Sequence, residues 1–315
     1  MSEHRLPRKH ASQSRGDSEP FEGLGNVVSD IEDQVRDVNA RIDRAAGRPL
    51  WQAIAIGLLL GGVFVGSLLW LFELFVGFVL ALVFFAALEL TSALASKNRI
   101  RSKWLVVVVA VPVVPIAASF GLPGLVVALL GALGLAMAIR LLSLLFRRYG
   151  AVPFLTDLVN TALVLIYVPF LASFVVMTAR APEGVAWVFT GVVIVVCVDI
   201  AAYATGLGFG KTPLAPSISP KKTWEGFFGS LVAAVVAGVG LGHLVLQVHW
   251  WVGAVLGVVL LFSATLGDLV ESLIKRNLGI KDISSWLPGH GGFLDRLDSM
   301  LPSMAMLYLM FTIFS

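Results

Sequence analysis

Charged residues and cysteine are scarce in this sequence. Only 14% of its 315 residues are charged, whereas 57% are hydrophobic, and the mean hydropathy is +0.89. Soluble domains carry roughly 25% charged residues, so the composition excludes an ordinary soluble protein. The one cysteine, Cys197, has no partner within the chain, which excludes an internal disulfide.

Long apolar runs dominate the sequence instead. Runs of about 20 apolar residues, the length that crosses a bilayer as a helix, recur from Trp51 to the C-terminus. Because the runs are continuous rather than alternating, they predict helices and not barrel strands. The sequence therefore predicts an all-α polytopic membrane protein with about nine transmembrane helices. Their ranges are about 51–72, 74–95, 104–121, 123–146, 157–177, 183–204, 226–247, 250–270 and 299–314.

Basic residues lie almost entirely on one side of this predicted topology. Arg180 is the only one in a connection on the opposite side. Because Lys and Arg are retained in cytoplasmic loops, we expect the N-terminus in the cytoplasm and the C-terminus on the outer side of the inner (plasma) membrane. Any site on the basic side then faces the cytoplasm. After the N-terminal arm, the basic residues on that side are Lys97, Arg99, Arg101, Lys103, Arg147, Arg148, Lys211, Lys221, Lys222, Lys275, Arg276, Lys281 and Arg296.

The beginning of the chain is polar and differs from the rest. Residues 1–20 are rich in Ser, Arg, Glu and His, a composition typical of disorder. Residues 27–46 place Val and Ile at three- and four-residue spacing among charged residues, which predicts an amphipathic helix resting on the membrane or on a partner subunit. We therefore divide the chain into a cytoplasmic arm at 1–49 and a transmembrane domain at 50–315.

Two polar segments, rich in glycine and proline, interrupt the apolar pattern on the predicted cytoplasmic side. The first runs from Asp199 to Gly226 and ends in Ser-Pro-Lys-Lys-Thr-Trp-Glu-Gly. Its glycines let backbone N–H groups approach an anion, and Lys221 and Lys222 precede a predicted helix whose N-terminus is already positive. The segment is a candidate triphosphate cradle, with Asp199 as a candidate nucleotide or metal contact. A topology signal or a lipid-headgroup contact is the alternative.

The second polar segment, residues 267–298, is dense in carboxylates. Asp295 and Asp298 lie one turn apart after a Gly-Gly break that permits a new helix to begin. If the eighth span continues as a helix past its apolar part, one face of it carries Asp268, Glu271, Ser272 and Lys275.

Carboxylates grouped at a membrane helix end need a partner, because each costs roughly 2.5–3.5 kcal/mol at the bilayer centre and less near the interface. Mg²⁺ prefers oxygen ligands and usually takes one or two carboxylates, with waters and substrate phosphates completing its shell. Two cations can hold the attacking and leaving oxygens of a phosphoryl displacement. The alternative, which stays open here, is an interfacial network of ion pairs between these acids and Lys275, Arg276, Lys281 and Arg296.

A few polar residues stand outside these patterns or have two explanations. His290, between glycines, is a candidate general acid or phosphate contact, or else a residue that orders its loop by a hydrogen bond. Glu89 and Asp157, inside predicted spans, predict polar contacts between helices. His243 and His249 stand apart from other ligand-type residues in the sequence, so a His-rich zinc site is not expected.

The stretch from Ser272 to Asp298 resembles the signature of the phosphatidate cytidylyltransferase (CDP-diacylglycerol synthase) family. It has Ser, then Lys-Arg, Lys-Asp, Leu-Pro-Gly-His-Gly-Gly and Asp-Arg-x-Asp in the same order. The stretch from Ser219 to Gly226 is similar to the family's second characteristic segment. The resemblance covers about residues 50–315.

The resemblance implies that a phosphate oxygen of phosphatidic acid attacks the α-phosphorus of CTP, giving CDP-diacylglycerol for phospholipid synthesis and releasing pyrophosphate. It also implies Mg²⁺, a second cation that is divalent or monovalent, a homodimer within membrane lipids, and no nucleic acid partner. The expected metal ligands are Asp268, Asp295 and Asp298. The expected catalytic residues are Asp268, Asp295 and Lys222. The expected substrate-binding residues are Asp199, Ser219, Lys221, Lys222, Lys275, Arg276, Lys281, His290 and Arg296.

The sequence departs from the family pattern at two positions. Leu207 stands where members often have a basic residue, so no phosphate contact is expected from it, and Ile200 stands where a small polar residue is usual.

Three other functions compete with this assignment. The nearest is transfer from CTP to another lipid alcohol or phosphate. A CDP-alcohol phosphotransferase is disfavoured because the chain contains no Asp-Gly pair. A transporter is disfavoured because most ionisable residues crowd the cytoplasmic edge rather than the midplane.

Overall fold

The computed structural model describes residues 50–145, 152–284, 286 and 292–315, with side chains from residue 57 onward. The arm at 1–49, including the amphipathic helix predicted at 27–46, lies outside these residues. The chain from Ala55 to Ser315 forms one compact unit. Its helices are α1 Leu50–Trp70, α2 Phe72–Ser96, α3 Lys103–Ala110, α4 Val113–Leu145, α5 Phe154–Leu165, α6 Leu171–Arg180, α7 Gly184–Phe209, α8 Trp224–Leu244, α9 Trp250–Leu278, α10 Leu294–Leu297 and α11 Met300–Phe314.

The described ranges contain seven helical stretches that are long and apolar enough to cross a membrane. Residues 57–70 of α1 form a shorter apolar helix. The prediction of a helical, multi-pass membrane protein is confirmed, whereas the count of nine spans stays a prediction. The seven stretches are Phe72–Ser96, Val113–Leu145, Phe154–Arg180, Gly184–Phe209, Trp224–Leu244, Trp250–Leu278 and Leu294–Phe314.

The region predicted as two spans, 104–121 and 123–146, is divided at two points. α3 ends at Ala110, just before Pro112, whose ring removes a backbone donor. α4 is then broken at Gly121, which has φ 65° and ψ −150°. Only glycine adopts such a backbone readily. The break expected near position 122 is therefore present, and the earlier one at the proline was not predicted.

Two helices extend beyond their predicted ends. α9 continues past position 270 to Leu278, where Gly279 takes up the left-handed conformation (φ 66°) and ends the helix. The final span begins at Leu294 rather than at 299, as α10 followed by α11. The extensions place Asp268 and Asp295 on helices, so the expected continuation of the eighth span is confirmed.

α5 and α6 are joined by a π-helical segment, Ile166–Phe170. Pro169 lies inside it, and the hydroxyl of Ser173 donates to the Pro169 carbonyl at 2.6 Å. Such segments locally change which side chains face a neighbouring helix. Here the buried Tyr167 hydroxyl donates to the Gly267 carbonyl at 3.4 Å, so this helix contacts α9 directly before Asp268.

α4 and α5 are tied together by a buried ion pair. The Arg140 guanidinium donates to both carboxylate oxygens of Asp157 at 2.9 Å and to the Thr161 hydroxyl at 2.6 Å. The polar contact between helices predicted for Asp157 is confirmed. A buried pair of this kind is strongly destabilised when one partner is removed, because the other charge is left uncompensated.

α7, α8 and α9 form the support of the polar segments. A Cβ added at Gly238 of α8 would collide with the Gly253 carbonyl of α9, so small residues let the two backbones pack closely. Between α7 and α8 the chain forms an antiparallel hairpin of β1 (Pro213–Ala215) and β2 (Ser219–Thr223). Pro213 pairs with Thr223 and Ala215 with Ser219. Within the described ranges, these short strands are the exception to the predicted all-helical fold.

Candidate active site

The two polar segments meet at one cavity of about 540 Å³. Side chains from the end of α7, the hairpin, α8, α9 and the start of the final helix line it. The fold therefore brings the two segments together at one site. The charged residues that line the cavity are Asp199, Lys221, Lys222, Asp268, Asp295, Arg296 and Asp298.

Lys222 and Asp268 join the two segments directly. The Lys222 ammonium forms an ion pair with the Asp268 carboxylate, and the two side chains are 27% and 28% exposed. Ser272, one turn later on α9, donates to the same carboxylate at 3.4 Å. Because both charges remain partly solvated, the pair can open to admit a ligand at less cost than a fully buried one.

Lys275 connects α9 to the final helix. Its ammonium donates to Glu271 at 2.7 Å and to Asp295 at 3.0 Å. Glu271 is completely buried, and its Oε1 has no hydrogen-bond donor among the described residues. The backbone N–H of Gly292 donates to the other oxygen of Asp295 at 2.9 Å. Asp295 is thereby held by two hydrogen bonds, one from α9 and one from the turn that precedes it.

The remaining carboxylates that line the cavity are those of Asp199 and Asp298. Asp298 accepts a hydrogen bond from the Ser299 backbone N–H at 2.7 Å. Asp199, Asp268 and Asp298 are close enough for their charges to act on one another. Such mutual repulsion favours a bound cation.

The basic hairpin is fixed to α8 by local hydrogen bonds. Thr223 caps α8 by accepting from the Gly226 backbone N–H at 3.1 Å. Glu225 accepts from the backbone N–H of Lys211 at 3.1 Å and from that of Thr212 at 3.2 Å. A Cβ added at Gly226 would lie 2.9 Å from the Ala202 carbonyl of α7, so the glycine permits close packing there. These contacts hold the preceding lysines at the cavity.

Several residues expected to bind substrate do not line the cavity. Ser219 lies in β2, and the exposed Lys281 follows α9. Arg276 donates through Nε to the Ile218 carbonyl at 3.2 Å, so it supports the hairpin. Lys275 does not line the cavity, but its ammonium donates to Asp295, which does. His290 lies outside the described residues.

The two departures from the family pattern have different surroundings. Ile200 lines the cavity, whereas Leu207 is 75% exposed and does not. Neither supplies a charge to the site.

Some residues of the site were not assigned to it from sequence. Ser299, Tyr203 and Thr223 line the cavity. Glu271 shares the predicted face of α9 with Asp268, and that spacing was the available signal. Ser299 had only its position after Asp298 as a signal, which is weak by itself.

The donor atoms at the cavity fit a hard cation. Within the described ranges, no three Asp, Glu, His or Cys side chains are placed to hold a metal ion by themselves. Mg²⁺ does not need three protein ligands, because substrate phosphates and waters complete its shell. The cavity carboxylates offer oxygen donors, which suit such an ion better than zinc.

Fold and cavity together define a multi-pass helical membrane protein whose two polar segments converge on a site of mixed charge. The cytidylyltransferase family model matches residues 51–314, and the chain belongs to this family. It is 34% identical over 308 residues to a phosphatidate cytidylyltransferase of Mycobacterium bovis, covering 92% of this chain and 97% of the relative. The corresponding protein of Mycobacterium leprae is 36% identical over 288 residues, covering 85% and 89%. One from Brucella suis is 45% identical over 117 residues, covering 37% and 43%.

Proposed function

We propose that this chain transfers the cytidylyl group of CTP to phosphatidic acid, giving CDP-diacylglycerol and pyrophosphate for phospholipid synthesis. The observation that carries the proposal is the convergence of both polar segments on one cavity, where Lys222 contacts Asp268 and where Asp295 and Asp298 also lie. The names of the mycobacterial and Brucella relatives support the same reaction.

In the proposed reaction a phosphate oxygen of phosphatidic acid attacks the α-phosphorus of CTP. A new phosphorus–oxygen bond forms, and the bond from that phosphorus to the bridging β-phosphate oxygen breaks. The bond electrons leave with pyrophosphate. Lys221, Lys222 and Arg296 line the cavity and are suited to bind phosphate oxygens. The protein contributes mainly orientation and stabilisation of charge that moves onto the leaving group.

Asp268 and Asp295, with Asp298 one turn further on, are the residues that would hold Mg²⁺. When bound, the ion would supply positive charge against the substrate phosphates. The proposal includes a second bound cation, which is either divalent or monovalent. Lys275 orients Asp295 by its hydrogen bond at 3.0 Å.

The membrane arrangement we propose has nine spans, the N-terminus in the cytoplasm and the C-terminus outside the inner membrane. The cavity then opens at the cytoplasmic face, because the basic residues that mark that side include Lys221, Lys222 and Arg296. We also propose a homodimer.

The test is an assay of purified protein in detergent with α-labelled CTP, phosphatidic acid and Mg²⁺. We expect a labelled CDP-lipid and one pyrophosphate per turnover. Competition among lipid phosphates, lipid alcohols and the four nucleoside triphosphates identifies the acceptor and the donor. Label transfer to another acceptor in preference to phosphatidic acid would replace the proposed function.

A further inference from the structure

Glu89 lies on α2, far in sequence from both polar segments, yet it contacts the chain on both sides of residues 287–291. Its Oε1 accepts from the Ser284 hydroxyl at 2.5 Å, and its Oε2 accepts from the Leu294 backbone N–H at 2.9 Å. The side chain is 1% exposed. The polar contact between helices predicted for Glu89 is therefore confirmed by its bond to Leu294, the first residue of α10, which directly precedes the catalytic candidate Asp295.

The same face of α2 makes aromatic contacts to the same two parts of the chain. Phe85, one turn before Glu89, stacks on Phe293 with ring centroids 4.8 Å apart and an interplanar angle of 13°. It also meets Trp286 edge-on at 6.3 Å. On each side of this stretch, the chain therefore makes one aromatic contact with Phe85 and one hydrogen bond to Glu89.

Gly292 shows how closely the turn before Asp295 packs against Glu89. A Cβ at this position would lie 2.8 Å from Glu89 Oε2, 3.0 Å from Asp295 Oδ2 and 3.0 Å from the Ser284 hydroxyl. The Gly292 N–H itself donates to Asp295 Oδ2 at 2.9 Å. The Glu89 and Asp295 carboxylates therefore contact the same short turn, with no space for a side chain there.

We propose that Glu89 is a positioning residue for Asp295, acting through the Gly292–Asp295 turn. Its carboxylate accepts from the first N–H of α10, a donor that has no partner inside the helix. Charge-assisted bonds of this kind are stronger than neutral ones. Glu89 thereby fixes where α10 begins and in which direction Asp295 points. The role of Asp295 in catalysis rests on the proposed function, whereas the fixing of the turn does not.

The first test compares Glu89→Ala, Glu89→Gln and the control Glu73→Ala, which removes an exposed carboxylate at the other end of α2. For Glu89→Ala we expect kcat to fall roughly 30–100-fold, with KM for CTP little changed, because Asp295 moves while the lysines of the hairpin stay. Glu89→Gln keeps an acceptor for Leu294 and should recover activity to within about tenfold of the wild type. The control should retain the wild-type kcat. An unchanged kcat per folded molecule in Glu89→Ala would overturn the proposal.

The second test does not depend on activity. Hydrogen–deuterium exchange of peptides covering residues 292–297 should be faster in Glu89→Ala than in the wild type and unchanged in Glu73→Ala. If Glu89→Ala does not fold, Ser284→Ala removes one of the two bonds and should give a smaller increase in the same peptides. Unaltered exchange in the folded variants would overturn the proposal. A wild type that makes no CDP-lipid would refute the proposed function, while the exchange result would still decide the role of Glu89.

Discussion

Two clusters of opposite charges lie among the helices, and they differ in how deeply their charges are buried. Arg140 and Asp157 are 3% and 1% exposed and form two mutual bonds of 2.9 Å. At the cavity, Lys222 and Asp268 are 27% and 28% exposed. The first cluster holds helices together, because its members are buried and bonded to one another. The second is partly open to solvent, so a ligand can reach its charges.

The largest expected effect is a loss of activity when a carboxylate of the cavity cluster is replaced. Asp295→Asn and Asp268→Asn should each lower kcat at least roughly 10³-fold, since each removes charge where the cation and phosphates are proposed to bind. The melting temperature should change little in Asp268→Asn, because that side chain is 28% exposed, and somewhat more in Asp295→Asn, because Asp295 is 10% exposed and bonded to Lys275. Product formation from labelled CTP measures the first quantity and a thermal melt in detergent the second. Full activity in both variants would contradict a catalytic role for the cavity carboxylates.

The next largest effect is a loss of stability when the Arg140–Asp157 cluster is disrupted. Arg140→Met removes the guanidinium that bonds both carboxylate oxygens of the buried Asp157 and should lower the free energy of unfolding by about 3–5 kcal/mol. The double variant Arg140→Met with Asp157→Leu should recover much of this loss, because no charge is left uncompensated. Denaturant titration of the reconstituted protein measures both, with kcat per folded molecule expected to stay near the wild-type value. A stable single variant with low activity would place this pair in the catalytic machinery.

A smaller effect is expected within the cavity itself. Lys222→Met should raise KM for CTP roughly 10–100-fold, because it removes a positive charge from the proposed phosphate site and leaves Asp268 unpaired. Lys222→Arg keeps the charge and should lose less. Initial rates over a range of CTP concentrations give both constants. Equal KM values for the wild type and Lys222→Met would exclude Lys222 from nucleotide binding.

The smallest effect concerns the contact between the π-helical segment and α9. Tyr167→Phe removes the hydroxyl that donates to Gly267 at 3.4 Å, and it should cost about 0.5–1.5 kcal/mol of stability. Activity should fall only a few-fold, because Asp268 keeps its ion pair with Lys222. A loss of activity as large as that of Asp268→Asn would assign Tyr167 a direct role at the cavity.

The features that followed from the sequence are those set by local pattern or by physical necessity. Continuous apolar runs predicted the helices, and costly carboxylates inside spans predicted polar partners for Glu89 and Asp157. Asp268 and Glu271 shared a face once the helix was assumed to continue, and the structure confirms that it does.

The features that did not follow depend on contacts distant in the chain or on local irregularities. The pairing of Glu89 with Ser284 and Leu294 joins residues 195 and 205 positions apart, which no local pattern indicates. The hairpin at 213–223 is short and polar, without the alternation by which strands are recognised. The π-helical segment lies inside an apolar run whose composition fits an ordinary helix.

Chemical crosslinking tests most directly whether the two polar segments form one site. In a Cys197→Ala background, cysteines replacing Lys222 and Asp268 should be joined by a short bifunctional thiol reagent in native membranes, because the two side chains contact one another. A pair replacing Lys222 and Glu73 serves as the control and should not be joined. Efficient crosslinking of the first pair is the predicted result. No crosslink at that pair would contradict a single site built from both segments.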